Sequence, residues 1–218
     1  MVYPQSNLKK LLLAFTLAML GACVTEPQDK TETTVPKDTV MITSPRTDSV
    51  VTLNNMGQIR KAYAIVKAAQ EAKELDSTTF RYNCDGERSG TVTYFSKDGI
   101  LKMIAHNYAE YDHNELSDHY FVNDGKPFFV HLRSLSWAFD NGPEGATKDK
   151  VTERRIYIIN AKAINCYEKK YEIQKHKGIN PKPEDIPNKE VDCASITPII
   201  EKYQQLAKYW KVKSPECL

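Results

Sequence analysis

Tyr94-Phe95-Ser96-Lys97-Asp98-Gly99-Ile100-Leu101-Lys102-Met103-Ile104 is the stretch that decides the fold. It has an aromatic–apolar opening, a polar turn and an apolar-rich exit. Asp98-Gly99 supplies the positive-φ positions that a two-residue hairpin turn requires. Two further stretches lie on the same template. Tyr120-Phe121-Val122-Asn123-Asp124-Gly125-Lys126-Pro127-Phe128-Phe129-Val130 repeats it with Asp124-Gly125 at the turn. Tyr157-Ile158-Ile159-Asn160-Ala161-Lys162-Ala163-Ile164-Asn165-Cys166-Tyr167 repeats it without a glycine, so its turn type is open. Phe80–Cys84 precedes the first copy, and together these segments predict an antiparallel meander of about seven strands.

Helical periodicity brackets this meander. Asn54 or Asn55 is placed to cap a helix running to about Leu75, with Met56, Ile59, Tyr63 and Val66 on one stripe. Thr197-Pro198 reads as an N-cap and first-turn proline. Ile196, Ile199, Ile200, Tyr203, Leu206, Ala207 and Trp210 then form the stripe of a second helix. The expected fold is therefore α+β: a β-meander flanked by an N-terminal and a C-terminal helix. Residues 53–218 are expected to form one domain, long enough to bury roughly two-thirds of its unfolded surface.

The N-terminal end carries an address. Lys9 and Lys10 precede the apolar run Leu11–Leu20, which is too short to span a bilayer and has the form of a signal-peptide core. Leu20-Gly21-Ala22-Cys23 resembles the bacterial lipobox, which implies cleavage after residue 22 and lipidation of Cys23. Residues 23–52 then read as a lipidated cysteine and a flexible Thr/Asp/Pro-rich tether. Val24 is not the acidic residue that favours inner-membrane retention in enteric lipoproteins. That resemblance implies an outer-membrane protein facing the periplasm. Removing residues 1–22 takes away two lysines and no acid, leaving 28 basic and 28 acidic side chains. A neutral chain has no electrostatic footprint for nucleic acid.

Cys84, Cys166, Cys193 and Cys217 are an even set in an exported protein, which predicts two disulfides with three possible connectivities. Cys166 and Cys193 border the proline-rich segment Lys175–Val191, which favours that pair and leaves Cys84 with Cys217. No C-x-x-C pair is present to suggest zinc.

The hairpin pattern, the Gly142-Pro143-Glu144-Gly145-Ala146-Thr147-Lys148-Asp149 loop, the Thr152-Glu153-Arg154-Arg155-Ile156-Tyr157 strand and Cys166 before Glu168-Lys169 resemble a Bacteroidota lipoprotein family of unknown function. The resemblance covers roughly residues 80–193. It implies a cell-envelope lipoprotein with an antiparallel sheet, and carries over no activity and no catalytic residues.

Chemistry-bearing residues are scattered. His106, Asp112, His113, Glu115 and His119 are metal-ligand types, but His106 and His119 fall on separate strands and the others in a loop. A hairpin centred on Asp124-Gly125 pairs Asp118 with His131 near Ser117 or Ser134, without a Gly-x-Ser-x-Gly elbow. Trp137, Phe139 and Asn141 stand beside the Gly142–Gly145 loop and are the better binding candidates, with the filling of a core end by Trp137 as the competing reading. Arg155 is expected on one sheet face with Tyr157, and Arg154 with Ile156 on the other. One arginine is expected to pair with a surface carboxylate, and an anion site at Arg155 lacks a second ligand at a fixed spacing.

These features predict a lipid-anchored, non-enzymatic interaction or scaffold module with no metal and no cofactor, held to the membrane by Cys23. An envelope protein or glycan is its expected partner. The alternative is an inhibitor or binder of an envelope hydrolase or glycan acting through residues 137–146. A metal-dependent hydrolase using the His106–His119 cluster is the third reading.

Overall fold

The structure, a computed structural model, describes residues 52–218. The segment expected to be a signal peptide, the expected lipidation site Cys23 and all but the last residue of the expected tether lie outside the described residues.

Helix α1 (Met56–Glu71) leads into strands β1 (Asp76–Cys84), β2 (Arg88–Lys97), β3 (Ile100–Glu110), β4 (Asn114–Asn123), β5 (Lys126–Phe139), β6 (Thr147–Ile159) and β7 (Lys162–Gln174). A short 3-10 turn, Pro183–Asp185, precedes β8 (Lys189–Val191) and helix α2 (Thr197–Lys208). The eight strands form one antiparallel sheet in sequence order, with β1 and β8 at its edges. The expected meander is present with eight strands, not seven. The extra strand is three residues of the proline-rich connection, which pair with β7 opposite Cys166, Tyr167 and Glu168. So short a segment carries no alternating pattern of its own. The Cys166–Cys193 disulfide lies two residues beyond it, and Asn165 donates to Glu190 across the pair at 3.0 Å.

Both helix ends have local causes. Asn55 caps α1, its side chain accepting from the Gln58 N–H at 3.0 Å. The helix stops at Glu71, short of the expected Leu75, because Lys73 turns to φ 58°. The Lys73 and Glu74 amides then bond back to the carbonyls of Gln70 and Ala69, closing a Schellman motif. Helix α2 starts one residue earlier than its proline suggests, with Ile196 at the cap and Pro198 in the first turn.

The three hairpins share one geometry. Asp98-Gly99, Asp124-Gly125 and Asn160-Ala161 each have positive φ at both positions, the type I′ signature. Asn160-Ala161 therefore adopts the same turn without a glycine. Each hairpin also shifts register two pairs from its turn, at Phe95/Ser96, Phe121/Val122 and Tyr157/Ile158. The inserted residue sits on the exit strand in each case: Lys102, Phe128 and Ile164. By this structural register Tyr157 matches Phe95 and Phe121. The sequence alignment, which lays Tyr157 on Tyr94, is thus out by one.

The turn-side half of the sheet is buried on both faces, which explains why Tyr120-Phe121-Val122 is apolar without interruption. Tyr120 and Val122 face α2 together with Tyr94, Ile104, Val130 and Ile156. Phe121 faces α1 with Met103, Ala105 and Phe129. Ile59 of α1 and Leu206 of α2 are fully buried, each stabilising its helix by about 1.5–3 kcal/mol. Tyr94 donates to the Leu206 carbonyl at 2.7 Å, and Tyr203 to the Gly125 carbonyl at 2.8 Å, so α2 is held by its own backbone and by a hairpin turn.

Two disulfides are present, Cys84–Cys217 and Cys166–Cys193. The first ties the C-terminal tail to edge strand β1, where the Asn83 amide also donates to the Glu216 carbonyl. Among the described residues no helix is long and apolar enough to cross a membrane.

Candidate functional site

The far half of the α1-side face lies beyond the rows that α1 covers. Register places Arg81, Thr91, Asn107, Ser117 and Arg133 in one row across β1–β5, with Asn83, Ser89, Ala109 and Glu115 in the next. Small side chains in both rows leave an open trough of about 980 Å³. It is lined by amides, hydroxyls and a few charges. Ser117 Oγ donates to Asn107 Oδ1 at 2.7 Å and lies 3.2 Å from His119 Nε2. Which of the two donates in the second contact depends on the His119 tautomer, so Ser117 is held between an amide oxygen and an imidazole.

Beyond this trough, about 13 and about 20 Å past Arg133 along β5 at the usual rise per residue, stand Trp137 and Phe139. Trp137 Nε1 donates to the Asp112 carbonyl at 2.8 Å and its ring packs on His113 with centroids 4.3 Å apart. It braces the β3–β4 turn and does not fill the core. Phe139 packs edge-on against Trp137 and is 77% exposed. Strand β5 runs to Phe139 and β6 begins at Thr147, so the connecting loop is residues 140–146. The loop is pinned. Asp140 accepts from Gln174 Nε2 at 2.7 Å, and its backbone amide donates to the Ala146 carbonyl. That bonding, with Lys148 and His176 close by, holds its carboxyl below the usual range. A side chain at Gly142 would meet Ala146 and His176 within 2.9–3.1 Å, so the loop packs too closely for any residue but glycine there. Asn141 is exposed on this loop.

The histidine cluster is split between the two faces. His106 faces α2 and is fully buried, its Nε2 2.7 Å from Tyr82 OH and its ring stacked on Tyr108 at 4.2 Å. Gly90 makes this possible: Tyr82 crosses over it, and a Cβ there would lie 2.7 Å from the Tyr82 hydroxyl. His119 faces α1 instead, and His113 is held under Trp137. Among the described residues no group of three or more His, Cys, Asp or Glu side chains converges as a metal site. Burial lowers the His106 pKa to about 3 and the His119 pKa to about 4. Across from His106, burial raises Asp118 to about 6, against opposing effects of the Tyr108 hydroxyl and Lys202 of α2.

Asp118 and His131 do not meet. The residue inserted at Phe128 shifts the β4–β5 register by one, pairing Asp118 with Leu132 and His131 with His119. One inserted residue reverses which face a side chain occupies, so Asp118 faces α2 and His131 faces α1. His131 instead contacts Glu153 at 3.3 Å, where Tyr171 OH and Lys169 Nζ also bond at 2.9 and 3.3 Å. Glu153 and Lys169 are both nearly fully buried, and those bonds outweigh desolvation to lower the Glu153 pKa.

Arg154 and Arg155 divide as expected. Arg154 pairs with Glu168 at 3.5 Å on the α2 side. Arg155 lies on the α1 side with Tyr157, bordering two hollows that Arg60 of α1 also borders. Arg60 has no counterpart in the sequence reading. It sits far from Arg155 in the chain, and its only signal is a cation in a helix start that lacks any acidic residue. The trough was equally illegible, since its lining is drawn from five strands and the C-terminal tail, residues scattered along the chain.

Comparison with protein-family models, with curated proteins and with solved structures gives no match.

Proposed function

We propose that this chain is a lipid-anchored, non-enzymatic binding module of the cell envelope, attached through Cys23 at the outer membrane and facing the periplasm. Its ligand is an envelope glycan. The observation that carries this reading is the open trough of about 980 Å³ on the α1-side face, with Trp137 and the exposed Phe139 standing beyond it. Glycans are recognised by planar amides, hydroxyls and a few charges, together with an aromatic surface for a sugar ring. Asn83, Thr91, Asn107 and Ser117 supply the first set, and Phe139 on its Trp137 support supplies the second. The lipobox resemblance and the two disulfides agree with an oxidising, exported setting.

The test is titration of the purified chain, carrying Cys23→Ser so that it stays in solution, with solubilised envelope polysaccharides and peptidoglycan fragments. Saturable binding that weakens about tenfold in Phe139→Ala, and is lost in Ser117→Trp, supports the reading. Absence of binding to every glycan class, or binding indifferent to both substitutions, refutes it.

One observation favours a protein partner instead. The 140–146 loop is held rigid by Asp140 and presents Phe139 at its base, a preorganised element of the kind that inhibitors use. Replacing residues 140–146 by a two-residue turn would abolish inhibition of an envelope hydrolase while leaving glycan binding in the trough intact.

A further inference from the structure

We infer that Arg60 and Arg155 form a second binding site, separate from the trough, for a phosphate-type oxyanion. The two side chains border a hollow of about 230 Å³ with Tyr63, Phe129, His131 and Tyr157. They also border an adjoining hollow of about 280 Å³ with Tyr157, Tyr167 and Asn188. No acidic residue lines either hollow.

The carboxylates that might neutralise the arginines are committed elsewhere. Glu153, two residues before Arg155 on the same face, accepts from Tyr171 on one oxygen and faces Lys169 and His131 with the other. Glu190, across Tyr167 on β8, accepts from Asn165. Glu71 of α1 pairs with Lys67. Among the described residues no ion pair is made by Arg60 or Arg155. Arg60 instead lies over the Tyr157 ring, 6.0 Å from its centroid.

Two guanidinium groups brought together without a counter-charge repel each other, and a bound anion relieves that cost. Arginine presents a rigid fork of donors that matches the oxygens of phosphate or sulfate. The Tyr63, Tyr157 and Tyr167 hydroxyls and the Asn188 amide add donors suited to the remaining oxygens. The two hollows meet at Arg60, Arg155 and Tyr157, and the donors gathered around those shared residues suit a single phosphate group, either free or carried as the headgroup of an anionic lipid.

The test uses the full chain with Cys23→Ser. Inorganic phosphate is titrated calorimetrically against chloride at matched ionic strength, and sedimentation with phosphatidic acid vesicles is compared with phosphatidylcholine vesicles. Saturable binding to phosphate or to phosphatidic acid, weakened about tenfold or more in Arg60→Gln and in Arg155→Gln, is the expected result. Binding of free phosphate assigns a soluble ligand, and binding of the vesicles alone assigns a headgroup. Arg154→Gln, on the opposite face and already paired, should leave binding unchanged. Arg60 is exposed on a helix, so its substitution tests the site even where Arg155→Gln impairs folding. No saturable response to either probe, or a response that both substitutions leave intact, overturns the assignment.

Discussion

Replacing His106 by glutamine should flatten the acid sensitivity of the fold. His106 has no exposed surface, and its Nδ1 has no hydrogen-bond partner. Its ring is enclosed by Tyr82 of β1, Tyr108 of β3, Asp118 of β4 and Lys202 of α2, with Arg88 of β2 nearby. Burial, then the positive charges of Lys202 and Arg88, lower its pKa to about 3 from an ordinary value near 6.5. The unfolded chain thus takes up a proton on His106 below about pH 6.5, while the folded chain refuses it until about pH 3. More protons are bound unfolded throughout that window, so stability falls as pH falls. The loss is about 1.4 kcal/mol per pH unit, or about 2–3 kcal/mol between pH 6.5 and roughly pH 4.5. His119, lowered to about 4, adds a loss of the same sign and similar size. Asp118 acts oppositely: raised to about 6 in the fold, it contributes stability as pH falls through that value and offsets about 2 kcal/mol. The net expectation is a wild-type chain less stable at pH 4.5 than at pH 7.5 by a few kcal/mol. Urea unfolding followed by the fluorescence of Trp137 and Trp210 measures this at both pH values. The His106→Gln variant should lose about 2 kcal/mol less on acidification than the wild type, whatever its stability at pH 7.5. Equal acid losses in the two chains, within about 0.5 kcal/mol, would refute the burial argument.

The three hairpins supply an internally controlled comparison. Ala161 holds φ 59° where the other copies place Gly99 and Gly125. Ala161→Gly should therefore stabilise the fold by about 0.5–1 kcal/mol, the relief of left-handed strain less the added freedom of the unfolded chain, and Gly125→Ala should destabilise it by a similar amount. Thermal midpoints shifted by a few degrees in opposite directions would bear this out, whereas a lower midpoint for Ala161→Gly would contradict it. The disulfides should differ in weight: Cys84–Cys217 spans 133 residues and Cys166–Cys193 spans 27. In the chain-entropy treatment that corresponds to about 5 and about 3.5 kcal/mol. Urea midpoints of the two Cys→Ser double variants should fall in that order, and a larger loss for the shorter loop would show that native contacts outweigh chain entropy.

Much of the architecture was legible because it rests on local chemistry. Asp-Gly twice specifies a turn that needs positive φ, and Asp and Gly adopt it readily, whereas Asn160-Ala161, without a glycine, left its turn type open until the structure showed positive φ at both positions. The aromatic–apolar openings specify strands, and the Ile199–Trp210 stripe specifies a helix that must be covered. The segment that Cys166 and Cys193 enclose favoured their pairing among three connectivities, and the structure has that pair. Each of these signals is carried by residues close together in the chain, so tertiary structure had little left to decide about them.

What the chain alone did not disclose depends on register and docking. A single inserted residue at Phe128 sends Asp118 and His131 to opposite faces. No local signal marks that insertion, because Phe128-Phe129 reads equally well with or without it. The eighth strand is formed where the Cys166–Cys193 disulfide and the Asn165–Glu190 and Lys169–Pro183 bonds hold a proline-rich segment against β7. The trough exists because α1 covers the rows near the turns and leaves the far rows open, a consequence of where Ile59 and Tyr63 find Phe121 and Phe129. Arg60 and Arg155 likewise meet at one pair of hollows only because that docking brings the start of α1 over β6. Sequence by itself determined the two helices, the seven long strands, their order and the two Asp-Gly turns, since those energies are settled within a few residues. Tertiary structure decided which faces are covered and which charges converge, since those depend on contacts between residues far apart in the chain.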